Sequence, residues 1–169
     1  MAGGHYLIAL GSNRRHVRHG APERVLAAAL ERLVEEGLAV EARSPFIQSA
    51  PIGPSLRRYA NGAALVETRL DPPALLALLK RVERDFGRRS GGRRWGTRVL
   101  DLDIVLWSGG RWSSSGSSPE LTVPHREFRK RRFVLDPAVA IAPAWRDPVS
   151  GLTVRQLRAR LTRLERLPR

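Results

Sequence analysis

Apolar positions along the chain follow strand and helix periodicities in turn. Residues 6–10 form a short apolar run that ends in Gly-Ser-Asn, which predicts a buried strand leading into a turn. Across residues 22–36, apolar residues recur at helical spacing, with a proline suited to the first turn and a glycine after the last. Leu38, Val40 and Ala42 then alternate with charged residues, as in a half-buried strand.

A second set of elements follows a turn-rich segment. Residues 48–58 contain two prolines and a glycine and are predicted to form a loop, and residues 61–68 are predicted to form a third strand. Asp71 then precedes Pro72 as a helix N-cap, and leucines at helical spacing lead to a helix end at Gly87. A further aliphatic strand ends at Trp107.

The order of these elements is strand, helix, strand, strand, helix, strand. This order matches the split β-α-β arrangement and predicts an α+β fold of the ferredoxin-like type, in which an antiparallel sheet carries both helices on one face. The opposite face of such a sheet is open. Because this architecture supports many unrelated functions, the function has to be argued from the site.

The remaining residues are predicted to extend the same domain, so that residues 1–169 form one unit. Residues 108–120 are rich in serine and glycine and are predicted to form an exposed loop. A short apolar segment lies near residues 133–135, and a terminal helix is predicted from Thr153. The side chains predicted to face inward on that helix are Val154, Leu157, Leu161 and Leu164.

Composition excludes some classes of protein and leaves others open. Because the chain has no cysteine, disulfides, thiolate metal sites and cysteine nucleophiles are excluded. No apolar run is long enough to span a membrane and the N-terminal one is too short for a secretory signal, so we expect a cytoplasmic protein. The formal charge of +14 predicts a polyanionic partner, either nucleic acid, an acidic membrane surface or a phosphorylated small molecule. A GC-rich genome would also produce this arginine excess without any function.

Two aspartates interrupt the last of these strands. Side chains alternate across a strand, so Asp101 and Asp103 share one face, with Cα atoms roughly 6.5–7 Å apart. Adjacent carboxylates repel each other unless a cation neutralises them, and a carboxylate pair can hold Mg²⁺ together with water and substrate phosphates. The alternative is a solvated face with ion pairs to Arg94 or Arg98. The other face of the strand carries Leu100, Leu102, Ile104 and Leu106, which are predicted to pack on the helices.

An arginine-rich, glycine-rich loop precedes the aspartates. Arginine forks suit phosphate oxygens, and glycines suit a lid that closes over a ligand. Carboxylates beside such a loop are typical of a phosphoryl-transfer site. Neither a P-loop motif nor G-x-G-x-x-G occurs, so ATP would have to bind in another way. The loop arginines are Arg88, Arg89, Arg93, Arg94 and Arg98.

At these residues the chain resembles the 6-hydroxymethyl-7,8-dihydropterin pyrophosphokinases of folate biosynthesis. The most specific motif is "RWGTRVLDLDI", and it pairs with a downstream "LTVPH"; further matches are "ALGSN", "SAPIGP", "YANGAA", "ERDFGR" and "RRFVL". The resemblance implies transfer of a diphosphate from ATP to the hydroxymethyl oxygen of the pterin, with release of AMP. It also implies two Mg²⁺ ions and the ferredoxin-like fold.

The resemblance assigns roles to individual residues. It implies that Asp101 and Asp103 hold the metal ions and that these residues act in catalysis with the loop arginines Arg88 and Arg98. Tyr59 and Phe133 would stack on the pterin. The implied ATP-binding residues are Glu83, Arg88, Trp95, Arg98, Ile104, Thr122, His125 and Arg131. The implied pterin-binding residues are Ser49, Ala50, Ile52, Tyr59, Asn61, Trp95, Asp101 and Phe133, with backbone edges from the first three.

Simpler interpretations remain for some of these positions. Tyr59 and Phe133 could be ordinary core aromatics. His16 and His19 invite a metal site, but with no further ligand nearby in sequence a solvated basic loop is favoured. The chain also departs from the family at Ser90, Glu120 and Arg126, which bear on the lid and on ATP affinity.

Two rival functions differ from the pterin kinase. A basic ferredoxin-like sheet could be an RNA-binding module, although two aspartates on the sheet face would repel a phosphate backbone. A Mg²⁺-dependent kinase or nucleotidyltransferase with another small substrate is the second rival. The favoured interpretation is a monomer that acts on ATP and a hydroxymethyl pterin, without a nucleic-acid or membrane partner.

Overall fold

The structure of the protein is a computed structural model that describes residues 4–50, 58–87, 99–114, 116 and 120–166. Most of the predicted site falls in these ranges. The predicted site residues outside the described ranges are Ile52, Arg88, Trp95 and Arg98.

The predicted order of elements in the first part of the chain is confirmed. Asp71 caps its helix as expected, because its carboxylate accepts a hydrogen bond from the Ala74 N–H at 2.9 Å. The helices are α1 (Pro22–Glu35) and α2 (Pro72–Asp85). The strands are β1 (Gly4–Ser12), β2 (Ala39–Arg43), β3 (Ile47–Ser49), β4 (Tyr59–Thr68) and β5 (Asp101–Trp107).

These strands form one antiparallel sheet in the order β2-β4-β1-β5, with β3 also paired to β4. This is the ferredoxin-like order that was predicted, and it places β5 at the end of the strand order. The prediction of a loop from residue 48 is wrong at its start. Ser49 pairs with Tyr59, and Ile47 with Asn61, so β4 draws this short segment into the sheet.

Helices α1 and α2 pack on the same face of the sheet and form the main core. Apolar stripes on the two helices meet the strands there, which buries the aliphatic face of β5 as predicted for its first half. The core residues include Leu26, Leu33, Leu75, Leu79, Ile8, Leu10, Leu100, Leu102 and Ile104.

A bulge changes the alternation of β5 after Ile104. Ile8 of β1 pairs with Ile104, but the preceding Leu7 pairs with Leu106, so Val105 is an extra residue in β5. Leu106 therefore turns to the second face of the sheet and Trp107 packs against the main core. The prediction of strict alternation was wrong for these last two residues, because a local pattern does not reveal a register shift between strands.

The second face of the sheet is covered in part by the C-terminal segment, so the prediction of an open face needs correction. The apolar segment near residue 133 belongs to a helix, α3 (Arg132–Ile141), and not to a short isolated run. Its buried Val134, Leu135 and Ala138 lie in a second apolar cluster with Leu7 and Ala63 of the sheet. A 3-10 helix (Phe128–Lys130) precedes it.

The serine-rich segment contains a strand that the sequence did not predict. β6 (Trp112–Ser113) pairs with β7 (Thr122–Val123) in a small second sheet. Trp112 packs against the main core, edge to face with Trp107, and this contact holds the segment in place.

The terminal helix α4 (Val154–Glu165) begins as predicted. Thr153 and Gln156 form a capping box, and Leu157 is buried. Leu164, however, is 56% exposed, which contradicts the prediction that it faces inward. Next to it, Glu165 pairs with Arg132, the first residue of α3, at 3.1 Å, so this end of α4 meets α3 through a partly exposed ion pair. No helix in the described ranges is both long and apolar enough to cross a membrane.

Candidate active site

Asp101 and Asp103 lie on the same face of β5, as predicted. They pair with Gly11 and Ala9 of β1 without a register shift, while Leu102 between them points into the main core. Their side chains therefore project from the face on which α3 packs. Both are partly exposed, and the Asp103 side chain keeps 35% of its surface accessible.

Two side chains of α2 form hydrogen bonds with the outer edge of β5 at Leu102, the residue between the two aspartates. The carboxylate of Glu83 accepts hydrogen bonds from the Leu102 N–H at 2.7 Å and from the Lys80 ammonium at 2.8 Å. Lys80 Nζ also donates to the Leu102 carbonyl oxygen at 3.2 Å and lies 4.0 Å from Asp103 Oδ1. Both backbone groups of Leu102 thus have partners, and the strand is held in place where its carboxylates project.

The charges around Asp103 act in opposite directions on its pKa. Burial raises the pKa of Asp103, and the neighbouring Asp101 carboxylate raises it further. Lys80, His125 and Arg131 act to lower it through their charges. Burial likewise raises the pKa of Glu83, against the effect of Lys80.

His125 is held in one orientation, and burial favours its neutral form. Its backbone N–H donates to the Val105 carbonyl at 3.0 Å, and its Nδ1 accepts from the Glu127 N–H at 3.1 Å. Burial lowers the pKa of His125, and the Arg131 charge lowers it further, against Asp103. Because Nδ1 is an acceptor, Nε2 carries the proton of the neutral ring and can donate to an anionic ligand.

Asn61 lies in the same row of the sheet as Asp101. Gly11 pairs with Asn61 on one side and with Asp101 on the other, and as a glycine it leaves the sheet face open between them. Asn61 is nearly fully buried, and its Nδ2 donates to Ser49 Oγ at 2.7 Å. Ser49 was predicted to offer a backbone edge; the structure adds that its hydroxyl orients the Asn61 amide.

The predicted aromatic residues border this face from two directions. Tyr59 begins β4, two residues before Asn61 and on the same side of the strand. Phe133 is partly buried at the start of α3, and the guanidinium carbon of Arg131 lies 5.7 Å from its ring centroid. Ala50, which follows β3, is exposed. Phe133, which was predicted to stack on the pterin, and Arg131, which was predicted to contact ATP, are therefore neighbours.

Two residues that were predicted to contact the nucleotide have buried side-chain atoms. Ile104 is buried in the main core, on the opposite face from Asp103, so only its backbone at the outer strand could meet a ligand. Thr122 lies in β7, where its hydroxyl is buried and has no hydrogen-bond partner among the described residues.

The structure adds one residue near the site that the sequence analysis did not single out, and it changes the interpretation of two histidines. Lys80 was not singled out, although its spacing of three residues from Glu83 on a helix places the two on one face. His16 and His19 stack on each other with 4.7 Å between ring centroids. His19 also stacks on Phe86, which follows α2, and His16 is tilted against the same ring, so both are packed and not simply solvated. The described ranges contain no cluster of three or more potential metal ligands.

Comparison with known proteins decides the family. The model of the 7,8-dihydro-6-hydroxymethylpterin-pyrophosphokinase family matches residues 7–143. The chain belongs to this pyrophosphokinase family. Among its relatives, the 2-amino-4-hydroxy-6-hydroxymethyldihydropteridine pyrophosphokinase of Pseudomonas aeruginosa is 41% identical over 83% of this chain and 82% of its own length. The enzyme of the same name from Synechocystis is 36% identical over 80% of this chain and 67% of its own length. The family predicted from the motifs is confirmed.

Solved structures of this pyrophosphokinase family share the fold. The HPPK-DHPS protein of Plasmodium falciparum superposes on 96% of this chain with a TM-score of 0.73 at 13% identity. This chain spans 46% of that longer protein. The likeness at such low identity concerns the fold, and it agrees with the predicted α+β architecture.

Proposed function

We propose that this chain transfers a diphosphate from ATP to the hydroxymethyl group of 6-hydroxymethyl-7,8-dihydropterin and releases AMP, a step of folate biosynthesis. Family membership supports the reaction. The observation that carries the assignment of the site is the row Asn61, Gly11, Asp101, which sets an amide for the pterin beside a carboxylate for the phosphate end. Asp101 and Asp103 mark where the two substrates meet.

The pterin end of the proposed site uses an amide and aromatic rings. Asn61 offers a donor and an acceptor on one group, and Ser49 fixes its orientation, which suits the amide-like edge of the pterin. Tyr59 and Phe133 provide ring faces that favour stacking on a flat heterocycle. Ser49, Ala50 and Ile52 would add backbone contacts at the edge of the ring.

The aspartate pair fits Mg²⁺, for which we propose two ions. Asp101 and Asp103 supply hard oxygen ligands from one strand face, and the repulsion between them is relieved when a cation binds. Two carboxylates without a third protein ligand in the described ranges leave coordination positions for water and phosphate oxygens. When bound, Mg²⁺ would neutralise phosphate charge that builds up during transfer.

The nucleotide end of the proposed site is cationic. Neutral His125 can donate through Nε2 to a phosphate oxygen, and Arg131 and Lys80 add positive charge around Asp103. Arg88, Arg98 and Trp95 are proposed to close over the triphosphate. The pterin hydroxyl can then attack the β-phosphorus in line without a covalent enzyme intermediate, so that positioning and electrostatics carry the catalysis.

The decisive experiment is an assay of AMP release from ATP by the purified chain. We expect AMP to appear only when both the hydroxymethyl pterin and Mg²⁺ are present. AMP release with Mg²⁺ and a different small acceptor would favour another kinase. Tight binding of RNA with a steep salt dependence and no AMP release would favour the RNA-binding module.

We also propose that the chain acts as a cytoplasmic monomer without a nucleic-acid partner. The aspartate pair would repel a phosphate backbone on the sheet face, which argues against RNA as the ligand of this face. Light scattering during size-exclusion chromatography would test the oligomeric state, with an expected mass near 18.8 kDa.

A further inference from the structure

Lys80 is a charged side chain held close to the aspartate pair. Its ammonium is bound to the buried Glu83 at 2.8 Å and to the Leu102 carbonyl at 3.2 Å. Because both partners belong to packed elements, the ammonium cannot leave without losing two hydrogen bonds near a buried carboxylate. It is thus fixed 4.0 Å from Asp103.

A fixed ammonium at this distance has two effects on the aspartates. Without a metal ion it offsets part of the repulsion between Asp101 and Asp103, since it acts to lower the pKa that burial and repulsion raise. A divalent ion bound to the same carboxylates, however, would be repelled by the ammonium, which is a like charge a few ångströms away. The phosphates of ATP carry the negative charge that would attract both cations.

We propose that Lys80 is a resident counter-cation of the aspartate pair, which weakens the binding of free Mg²⁺ and makes metal uptake depend on the nucleotide. This inference rests on the proposed function, because it assumes that Asp101 and Asp103 hold the metal. Lys80 is a positioning residue in this role, since it acts through Asp103 and through the Leu102 backbone.

Calorimetric titration with Mn²⁺ tests the proposal without any turnover. Lys80→Gln keeps a polar side chain that can donate hydrogen bonds, but it removes the charge. We expect this variant to bind Mn²⁺ alone about tenfold more tightly than the wild type, as expected when a like charge is removed at this distance. The gain in Mn²⁺ affinity on adding a non-hydrolysable ATP analogue should shrink by a similar factor.

Two further variants separate local charge from other effects. Lys80→Arg keeps the charge and should bind Mn²⁺ as the wild type does. Arg81→Gln removes one positive charge from the next residue of α2, whose guanidinium pairs with Glu36 instead, and should leave Mn²⁺ affinity unchanged. Should Lys80→Gln not fold, Lys80→Met keeps most of the aliphatic stem and serves as the neutral variant.

The outcomes distinguish this inference from the proposed function. If the wild type binds Mn²⁺ with the nucleotide in a manner that requires Asp103, yet the neutral Lys80 variant has the same affinity for free Mn²⁺ within twofold, only the role of Lys80 is overturned. An equal increase in Arg81→Gln would overturn it as well. If the wild type binds no Mn²⁺ even with the nucleotide, the metal assignment of the aspartates fails together with the inference.

Discussion

The buried carboxylate of Glu83 accepts a hydrogen bond from the backbone N–H of Leu102, with 2.7 Å between oxygen and nitrogen. This contact joins α2 to the outer edge of β5 at the one residue that separates Asp101 from Asp103. Glu83 was predicted to contact the nucleotide. The structure adds that its carboxylate binds the backbone of β5. The stability of the protein and the placement of the aspartates therefore depend on the same side chain.

Replacing Glu83 should cost more stability than most single substitutions. In Glu83→Ala, the Leu102 N–H and the Lys80 ammonium lose a buried partner, and we expect the free energy of unfolding to fall by about 3 kcal/mol. Glu83→Gln keeps an acceptor for Leu102 and should lose about 1 kcal/mol. Urea unfolding measures both values. Equal stability of Glu83→Ala and the wild type would show that the contact contributes little.

Asp103→Asn should separate activity from stability. The substitution removes a carboxylate whose ionisation is opposed by burial and by Asp101, so the variant should be at least as stable as the wild type without metal. The rate of AMP release should fall by at least about 10³-fold, because a proposed metal ligand is lost. Asp136→Asn is the control: Asp136 of α3 pairs with Arg158, and its loss should leave the rate within about twofold of the wild type. Near-normal turnover by Asp103→Asn would contradict the metal assignment.

The Ser49–Asn61 hydrogen bond should affect pterin affinity. We expect Asn61→Ala to raise the dissociation constant of the pterin at least about tenfold, since a buried hydrogen-bonding partner is lost. Ser49→Ala should raise it about threefold, because the amide of Asn61 is then no longer held in place. Gln48→Ala removes the neighbouring exposed side chain, which contacts Glu23 of α1, and should have no effect. Calorimetry with the pterin gives all three constants; an unchanged constant for Asn61→Ala would remove Asn61 from the site.

A buried ion pair outside the site should control stability in acid. Asp147 is fully buried, and burial alone would raise its pKa, but hydrogen bonds from Arg129, Ser150 and the Val149 N–H lower the pKa to about 2. Arg129 binds both carboxylate oxygens at 2.7 Å. Because the folded state holds the charged form below its ordinary pKa, this contribution is present above about pH 4 and is lost as the pH falls towards 2.

The matching variant is Asp147→Asn. At neutral pH we expect a loss of about 2 kcal/mol in the free energy of unfolding, which corresponds to the lowered pKa. The difference between variant and wild type should shrink as the pH falls from about 4 to 2, as followed by thermal unfolding across that range. A difference that stays constant over this range would mean that the carboxylate is not the group that titrates.

The parts of the fold that were predictable depend on local patterns. The stripe on α2 and the Asp71 cap are set by residues within a few positions of each other, so the sequence alone indicates them. The pairing of Ile47 with Asn61 and the bulge at Val105 depend on strands that are distant in sequence, and no local period reports them. The same holds for the covering of the second sheet face by α3, which requires the whole sheet to be known.

The candidate site divides in a similar way. Asp101, Asp103 and Asn61 were singled out because they lie in specific motifs, and the strands bring the three residues to one face. The position of Lys80 could not, because its ammonium meets β5 only through the packing of α2 on the outer strand. The hydroxyl of Ser49 was missed for a related reason: its strand was predicted to be a loop.

The extra residue Val105 shifts the alternation of side chains along β5 by one position after Ile104. The half before Val105 directs its carboxylates to the α3 side, and the half after it sends Trp107 into the opposite core. Leu7 and Ile8 are adjacent in β1, so deleting Val105 would leave β5 in regular alternation, with the aspartates still on the α3 side and Trp107 still in the main core. The bulge thus accommodates one additional residue without changing the face on which the aspartates or the tryptophan lie.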